Sequence, residues 1–245
     1  MTNPLTGIGY LFRGFSLIMK PGIKRFVMIP LLINILLFAA LLWFLGDQFG
    51  VLTNWMMTYI PDWLSWLSWL FWGLFGLTSA IIIFFTFSFL ANIIGAPFNS
   101  YLAAAVEKYL TGELPPESPN DPWKEIGVAI VSELKKWLYY FLWLIPLLIL
   151  SFFLAPIAPL LWFLFGAWMY SLEYTDYPMG NHGLTFPEIR KELSNKRFMS
   201  FGFGGIVTVA TMIPLVNFII MPVAVAGATA MRVDQFPLKK ITSDE

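Results

Sequence analysis

The chain has 245 residues, of which 58% are hydrophobic, 18% aromatic and only 12% charged, with 15 basic side chains balancing 15 acidic ones. A soluble domain carries about 25% charged and 45–50% apolar residues, so one soluble core of this size is excluded and an integral membrane protein is indicated. With no cysteine there is no disulfide framework, thiolate metal site or cysteine nucleophile, and no nucleic-acid partner is expected.

Residues 1–25 set Ile8, Leu11, Phe12, Phe15 and Ile18 at helical spacing, with Arg13 and Lys20 between them. That spacing predicts a helix lying in the membrane interface. The order of residues is not that of a cleaved signal peptide, so the first apolar span is expected to stay as an anchor. Pro21-Gly22 breaks the helix, and Lys24-Arg25 marks the water boundary. Residues 26–46 then form an apolar run long enough to cross a hydrocarbon core of about 30 Å. Pro30 is expected in its first turns, where a missing N–H costs little, and Asn34 is its one strongly polar residue.

Trp55, Tyr59, Trp63, Trp66 and Trp69 follow with no Lys or Arg among residues 47–68, which reads as an aromatic belt on the translocated side. A second span is expected over 69–94. Residues 107–136 are polar: Thr111-Gly112 ends a helix, and Pro122 opens another with Trp123, Ile126, Ile130 and Leu134 on one side and Lys124, Glu125, Glu133 and Lys135 elsewhere. Cytoplasmic amphipathic helices are the expectation there.

The later apolar segments come in pairs. Segments 137–154 and 157–172 are separated by Ala155-Pro156, and segments 201–213 and 215–230 meet at Pro214. Two residues cannot make an aqueous loop, so each pair is a tight helical hairpin, with arms of roughly 20–27 Å as ideal helices. For arms that short a re-entrant reading competes with a spanning one; both hairpins (137–172 and 201–230) are expected to dip and return, with six complete spans as the alternative. The fold expected is all-α: one membrane domain over 1–245, with two long transmembrane helices, two proline-centred, hemi-penetrating hairpins and cytoplasmic amphipathic helices. All 15 Lys and Arg lie outside 47–68, which puts both termini in the cytoplasm.

The most polar run is residues 181–197, and within it Gly183-Leu184-Thr185-Phe186-Pro187-Glu188 reads as a glycine turn entering a helix. Thr185 and Glu188 make a capping box, and proline suits the first turn. A helix start leaves N–H groups unpaired at the positive end of the macrodipole, where an anion can sit. Two readings stand together: a well-capped surface helix joining two hairpins, or an anion seat with Lys24-Arg25 or Arg190, Lys191, Lys196 and Arg197 as cationic partners. Asn34, Asn92, Asn99 and Asn217 are polar residues within or beside apolar segments, suited to interhelical hydrogen bonds or to lining a pathway. Glu107, Glu173 and Asp176 border apolar segments, where they suit interfacial pairing or a part in proton coupling. His182 adjoins the turn and suits a structural hydrogen bond. Gly202-Phe203-Gly204-Gly205 has no strand before it and reads as a site of close helix packing. No carboxylate–histidine cluster has metal-ligand spacing, no nucleophile elbow is present, and neither cofactor nor enzymatic activity is expected.

Several pieces occur in an order that resembles a known family: Pro21-Gly22-Ile23-Lys24-Arg25-Phe26 with Pro30 to Asn34, Ala96-Pro97-Phe98-Asn99, Leu172-Glu173-Tyr174-Thr175-Asp176-Tyr177-Pro178, Asn181-His182-Gly183-Leu184-Thr185-Phe186, and Met221-Pro222 through Thr229. Together they are similar to the bacterial CysZ sulfate permease family over nearly the whole chain. The resemblance implies a multi-pass protein of the bacterial inner membrane that imports sulfate for cysteine synthesis and assembles as a homo-oligomer. It also implies that sulfate is bound by Gly183, Leu184, Thr185 and Phe186 together with Lys24 and Arg25. Position 24 holds lysine where the family has arginine, which keeps the charge and drops a bidentate contact. Asn34, Asn99, Glu107 and Glu173 are candidates for pathway or coupling roles. Sulfate is a dianion without a proton, so a pocket of donors suits it, whereas hydrogenphosphate would bring a proton needing an acceptor; Glu188 must then fold back onto its own cap. The alternative is a non-transporting membrane sensor or scaffold that binds sulfate or lipid headgroups.

Overall fold

The computed structural model describes residues 3–59, 66, 68–116 and 122–237, with side chains at 44–50, 87–94, 122–126 and a few other positions left out of the description. Among the described residues every regular element is helical. In order they are α1 (Pro4–Ile18), α2 (Lys24–Met57), α3 (Ser68–Thr111), α4 (Pro122–Phe153), a single 3₁₀ turn (Ala155–Ile157), α5 (Ala158–Gly180), α6 (Phe186–Asn195), α7 (Arg197–Thr211) and α8 (Pro214–Gln235).

Start and stop signals explain several boundaries. Asn3 caps α1, its side chain accepting from the Leu5 N–H at 2.9 Å, with Pro4 in the first turn. Gly22 takes a φ of 87° after α1. Gly112 takes 82° at the end of α3, where its N–H donates to the Lys108 carbonyl at 2.8 Å. Positive φ is the backbone state in which only glycine avoids a Cβ penalty.

The helices are longer than their apolar cores. α2 starts at Lys24 and runs past residue 46 to Met57. Pro30 is therefore its seventh residue, beyond the tolerant first turn, and one internal hydrogen bond is given up there. α3 continues past 94 to Thr111, and α4 joins the polar helix of 122–136 to the first hairpin arm without a break. Among the described residues three segments are long and apolar enough to cross a membrane: Lys24–Trp43, Gly127–Phe153 and Ala155–Gly180. The last two have 27 and 26 residues, or roughly 40 Å each at 1.5 Å per residue. That exceeds the 18- and 16-residue arms expected, so the first hairpin is not too short to span. In the second hairpin α7 has 15 residues and α8 has 22.

The chain divides into two compact units. The smaller, residues 28–98, holds the apolar lengths of α2 and α3; its large side chains such as Leu36, Trp43 and Phe85 are exposed, as suits contact with lipid. Trp55, Tyr59, Trp66 and Trp69 of the aromatic stretch are exposed too, while Trp63 lies outside the described residues. The larger unit comprises residues 1–27 and 99–245. Here α1 packs on α7 and α8, and α5 packs on the same two helices. The core includes Leu172, Met179, Ile189, Met199, Phe203, Val225 and Met231, all fully buried. Positions 223–232 of α8 are buried without interruption, so this helix is enclosed on all sides.

Small residues allow that closeness. A Cβ added to Gly14 of α1 would collide with the backbone of Val223 and Gly227, and one on Gly204 of α7 with the Ala167 carbonyl of α5. Accordingly α1 buries Tyr10, Leu11, Leu17 and Ile18 against protein and turns Phe12 and Phe15 outward. It also reaches the end of α8 through polar groups. The Tyr10 hydroxyl donates to Asp234 Oδ2 at 3.1 Å, and Arg13 forms an ion pair with the same carboxylate.

Candidate functional site

The turn between α5 and α6 is built by local hydrogen bonding. At the end of α5 the N–H groups of His182 and Leu184 donate to the Met179 carbonyl at 3.0 and 3.3 Å, and that of Gly183 to Gly180 at 2.8 Å. Gly183 has a φ of 76°, with open space where a Cβ would stand. Its glycine is thus required by backbone angle and not by crowding. Thr185 then takes an extended conformation as the N-cap of α6.

The cap is charged. Glu188 Oε2 accepts from the Thr185 N–H at 2.7 Å and from its hydroxyl at 2.6 Å. These two bonds, the hydroxyl first, hold the Glu188 carboxyl below the usual range. The Phe186 N–H donates to Ser132 Oγ on α4 at 2.8 Å, and Pro187 has no N–H. Every backbone donor from Gly183 to Phe186 is therefore engaged within the protein, and the anion at the helix start is the chain's own Glu188. The side chain lies on its own cap, as expected from the capping box, and there it occupies the donors of Thr185.

The other candidates fall into separate places. Lys24 and Arg25 stand exposed in the first turn of α2, with the Arg25 guanidinium 4.9 Å from the ring of Phe26. Among the described residues, no hydrogen bond or ion pair joins either to the 183–186 turn. Asn34 belongs to the 28–98 unit, where its Oδ1 is buried with no hydrogen-bond partner. Asn99 is buried and donates to Met221 Sδ at 3.3 Å. The side chains of Asn92 and Asn217 lie outside the described residues.

Glu107 is drawn directly to the turn. Its two oxygens lie 2.8 and 3.0 Å from Nε2 of His182, and Oε1 forms an ion pair with Arg232 of α8. Glu107 and Arg232 are each only 5% exposed. Burial pushes the Glu107 carboxyl up, but the His182 hydrogen bond and the Arg232 guanidinium outweigh it and hold the group low. Asn181 adds a hydrogen bond to the Ser100 carbonyl at 2.9 Å. The turn is thus fastened to α3 at two points, Asn181 to Ser100 and His182 to Glu107.

Glu173 lies in a different cluster. Lys136, buried on α4, reaches Glu133 at 2.8 Å, Asp176 at 2.9 Å and Glu173 at 3.3 Å. Tyr140 donates to Glu173 at 3.5 Å. Three carboxylates therefore share one ammonium.

The family model described as Sulfate transporter CysZ/Etoposide-induced protein 2.4 matches residues 10–222. The chain belongs to this family. The match contains Lys24-Arg25, both flanks of Glu107, the whole α5–α6 turn and the start of α8. The family description names a sulfate transporter, so the bonds at the turn and at Glu107 are read as binding and positioning elements. Within that CysZ-type frame, Ser132, Lys136 and Arg232 were not apparent from sequence as site residues. Ser132 is one hydroxyl within a charged stretch and Arg232 a lone charge after the last apolar run, so neither carries a local signal.

Proposed function

We propose that this protein carries sulfate across the bacterial inner membrane into the cytoplasm for cysteine synthesis, working as a homo-oligomer. One observation carries the reading: the donors of Thr185 at the start of α6 already hold an oxyanion, the Glu188 carboxylate, at 2.6 and 2.7 Å. Sulfate binding is then an exchange. The dianion takes the hydroxyl and N–H of Thr185, and Glu188, repelled by the incoming charge, swings into water. Gly183 keeps the left-handed bend that lets the segment face the ligand, and the N-terminal dipole of α6 favours the anion over water. Lys24 and Arg25, exposed, supply positive charge for its capture. Donor groups without an acceptor select sulfate over hydrogenphosphate once Glu188 has moved away.

Equilibrium binding of labelled sulfate to the purified protein, with phosphate as competitor, tests this. Binding is expected in the wild type, weakened in Arg25→Ala and in Gly183→Val, where valine cannot take a φ of 76°. Glu188→Gln is expected to bind sulfate more tightly, because it removes the competing charge. Absence of wild-type binding, or undiminished binding in both weakening variants, would refute the site. Binding without flux into proteoliposomes would favour the sensor or scaffold reading instead.

A further inference from the structure

Beside the turn, α4 and α6 enclose a cleft of about 230 Å³ whose lining includes Lys135, Leu138, Tyr139, Leu142, Phe186 and Arg190. We infer that this cleft binds the headgroup and first acyl carbons of an anionic phospholipid. Phe186 borders both this cleft and the proposed sulfate site, but the cations argued from here, Lys135 and Arg190, are not the ones that the proposed function uses.

Charge comes first. Lys136 is saturated by three carboxylates, but its neighbour Lys135 is exposed and, among the described residues, ion-paired with none, and the same holds for Arg190. The Arg190 guanidinium lies 5.1 Å from the centre of the Tyr139 ring. That ring is held by Phe186 at 5.5 Å and by the Trp168 Nε1–H, which donates to the Tyr139 hydroxyl at 3.0 Å. A guanidinium stacked on a fixed ring keeps its donor edge free for a phosphate.

The apolar wall comes second. Lys135, Leu138 and Leu142 are spaced i, i+3 and i+7, so they line one face of α4. Lys135 and Lys136 are the last charges before the uncharged run 137–154. Leu138 and Leu142 are 59% and 61% exposed, and the outward surface continues through Ile145, Ile149 and Phe152. Cations at the rim of an apolar helix, with leucines leading away from them, match an amphiphile with a phosphate at one end. A free oxyanion would use the cations and leave the leucines without a role.

The test is native mass spectrometry of the full chain in detergent, titrated with phosphatidylglycerol or phosphatidylcholine. Phosphatidylglycerol is expected to bind preferentially. At about 1 kcal/mol per cation, Lys135→Gln with Arg190→Gln is expected to weaken it roughly thirtyfold. Lys191→Gln, the same charge change on α6 outside the cleft lining, is expected to leave it intact. Equal affinity in the double variant, equal loss in Lys191→Gln, or displacement by millimolar sulfate or phosphate would each overturn the assignment. So would loss of labelled-sulfate binding in the double variant, because the cleft would then belong to the transported ion. A photoactivatable phosphatidylglycerol on the wild type gives an answer independent of variant folding: crosslinks within 135–142 or 186–190 support the site, and crosslinks confined elsewhere refute it.

Discussion

The α4 arm of the first hairpin turns most of its apolar side chains outward, whereas α8 of the second buries its own, packed against α1 and α5. Only 6% of an 18-residue apolar window within Gly127–Phe153 is buried in protein, while α8 is enclosed throughout residues 223–232. Hydrophobicity does not separate them. Residue size does: α4 presents Leu, Ile, Trp and Phe, and α8 presents Ala224, Ala226, Gly227, Ala228 and Ala230. In lipid, burying a large apolar side chain against protein gains little over leaving it in hydrocarbon, so helices associate where small residues let backbones meet. The large residues mark the lipid face and the small ones the protein core.

Several variants would break or sharpen this contrast. The largest effect is expected from Glu107→Ala, which leaves Arg232 of α8 buried without its carboxylate; about 3–5 kcal/mol of stability should be lost, read by thermal unfolding in detergent. Loss of less than about 1 kcal/mol would mean that the guanidinium finds water and that α8 is less enclosed than it looks. Gly204→Val should cost about 3 kcal/mol by forcing α7 away from the Ala167 carbonyl, and near-neutrality there would undo the small-residue argument. On the connector between the hairpins, Thr185→Ala should cost about 1 kcal/mol through the lost cap. The same cap sets a smaller dependence on acidity. The folded Glu188 pKa lies below its ordinary value of 4.5, so its contribution is present above that value and fades as pH falls through the folded one. Unfolding scans between pH 7 and 3 should show this component in wild type and not in Glu188→Gln. The smallest effect belongs to the first hairpin: Leu148→Ala, on a 53% exposed side chain, should shift stability by less than about 0.5 kcal/mol.

Much of the fold was legible because its signals are local. Proline-centred hairpins, the stop at Thr111-Gly112 and the capping box at Thr185 each rest on a few adjacent residues. Helix ends in the membrane were not, because apolar composition reports where lipid is and not where a helix stops. Pro30, Pro97, Pro146, Pro178 and Pro222 all lie inside helices. Giving up one hydrogen bond is cheaper there than ending a helix and exposing its last turn to lipid. At the site, Glu188 on its own cap was readable at a separation of three residues. The bond from Phe186 to Ser132 spans 54 residues and the pair of His182 with Glu107 spans 75, and nothing in either segment names its partner.

The docking of α1 on α8 carries a consequence for the order of biogenesis. Tyr10 and Asp234, which hydrogen-bond to each other, are 224 residues apart. At about 5–20 residues per second, α1 waits roughly 10–45 s on the ribosome's timescale before the end of α8 exists. Throughout that interval Gly14 of α1 lacks the α8 backbone it packs on, and the larger unit closes only once α8 has been made.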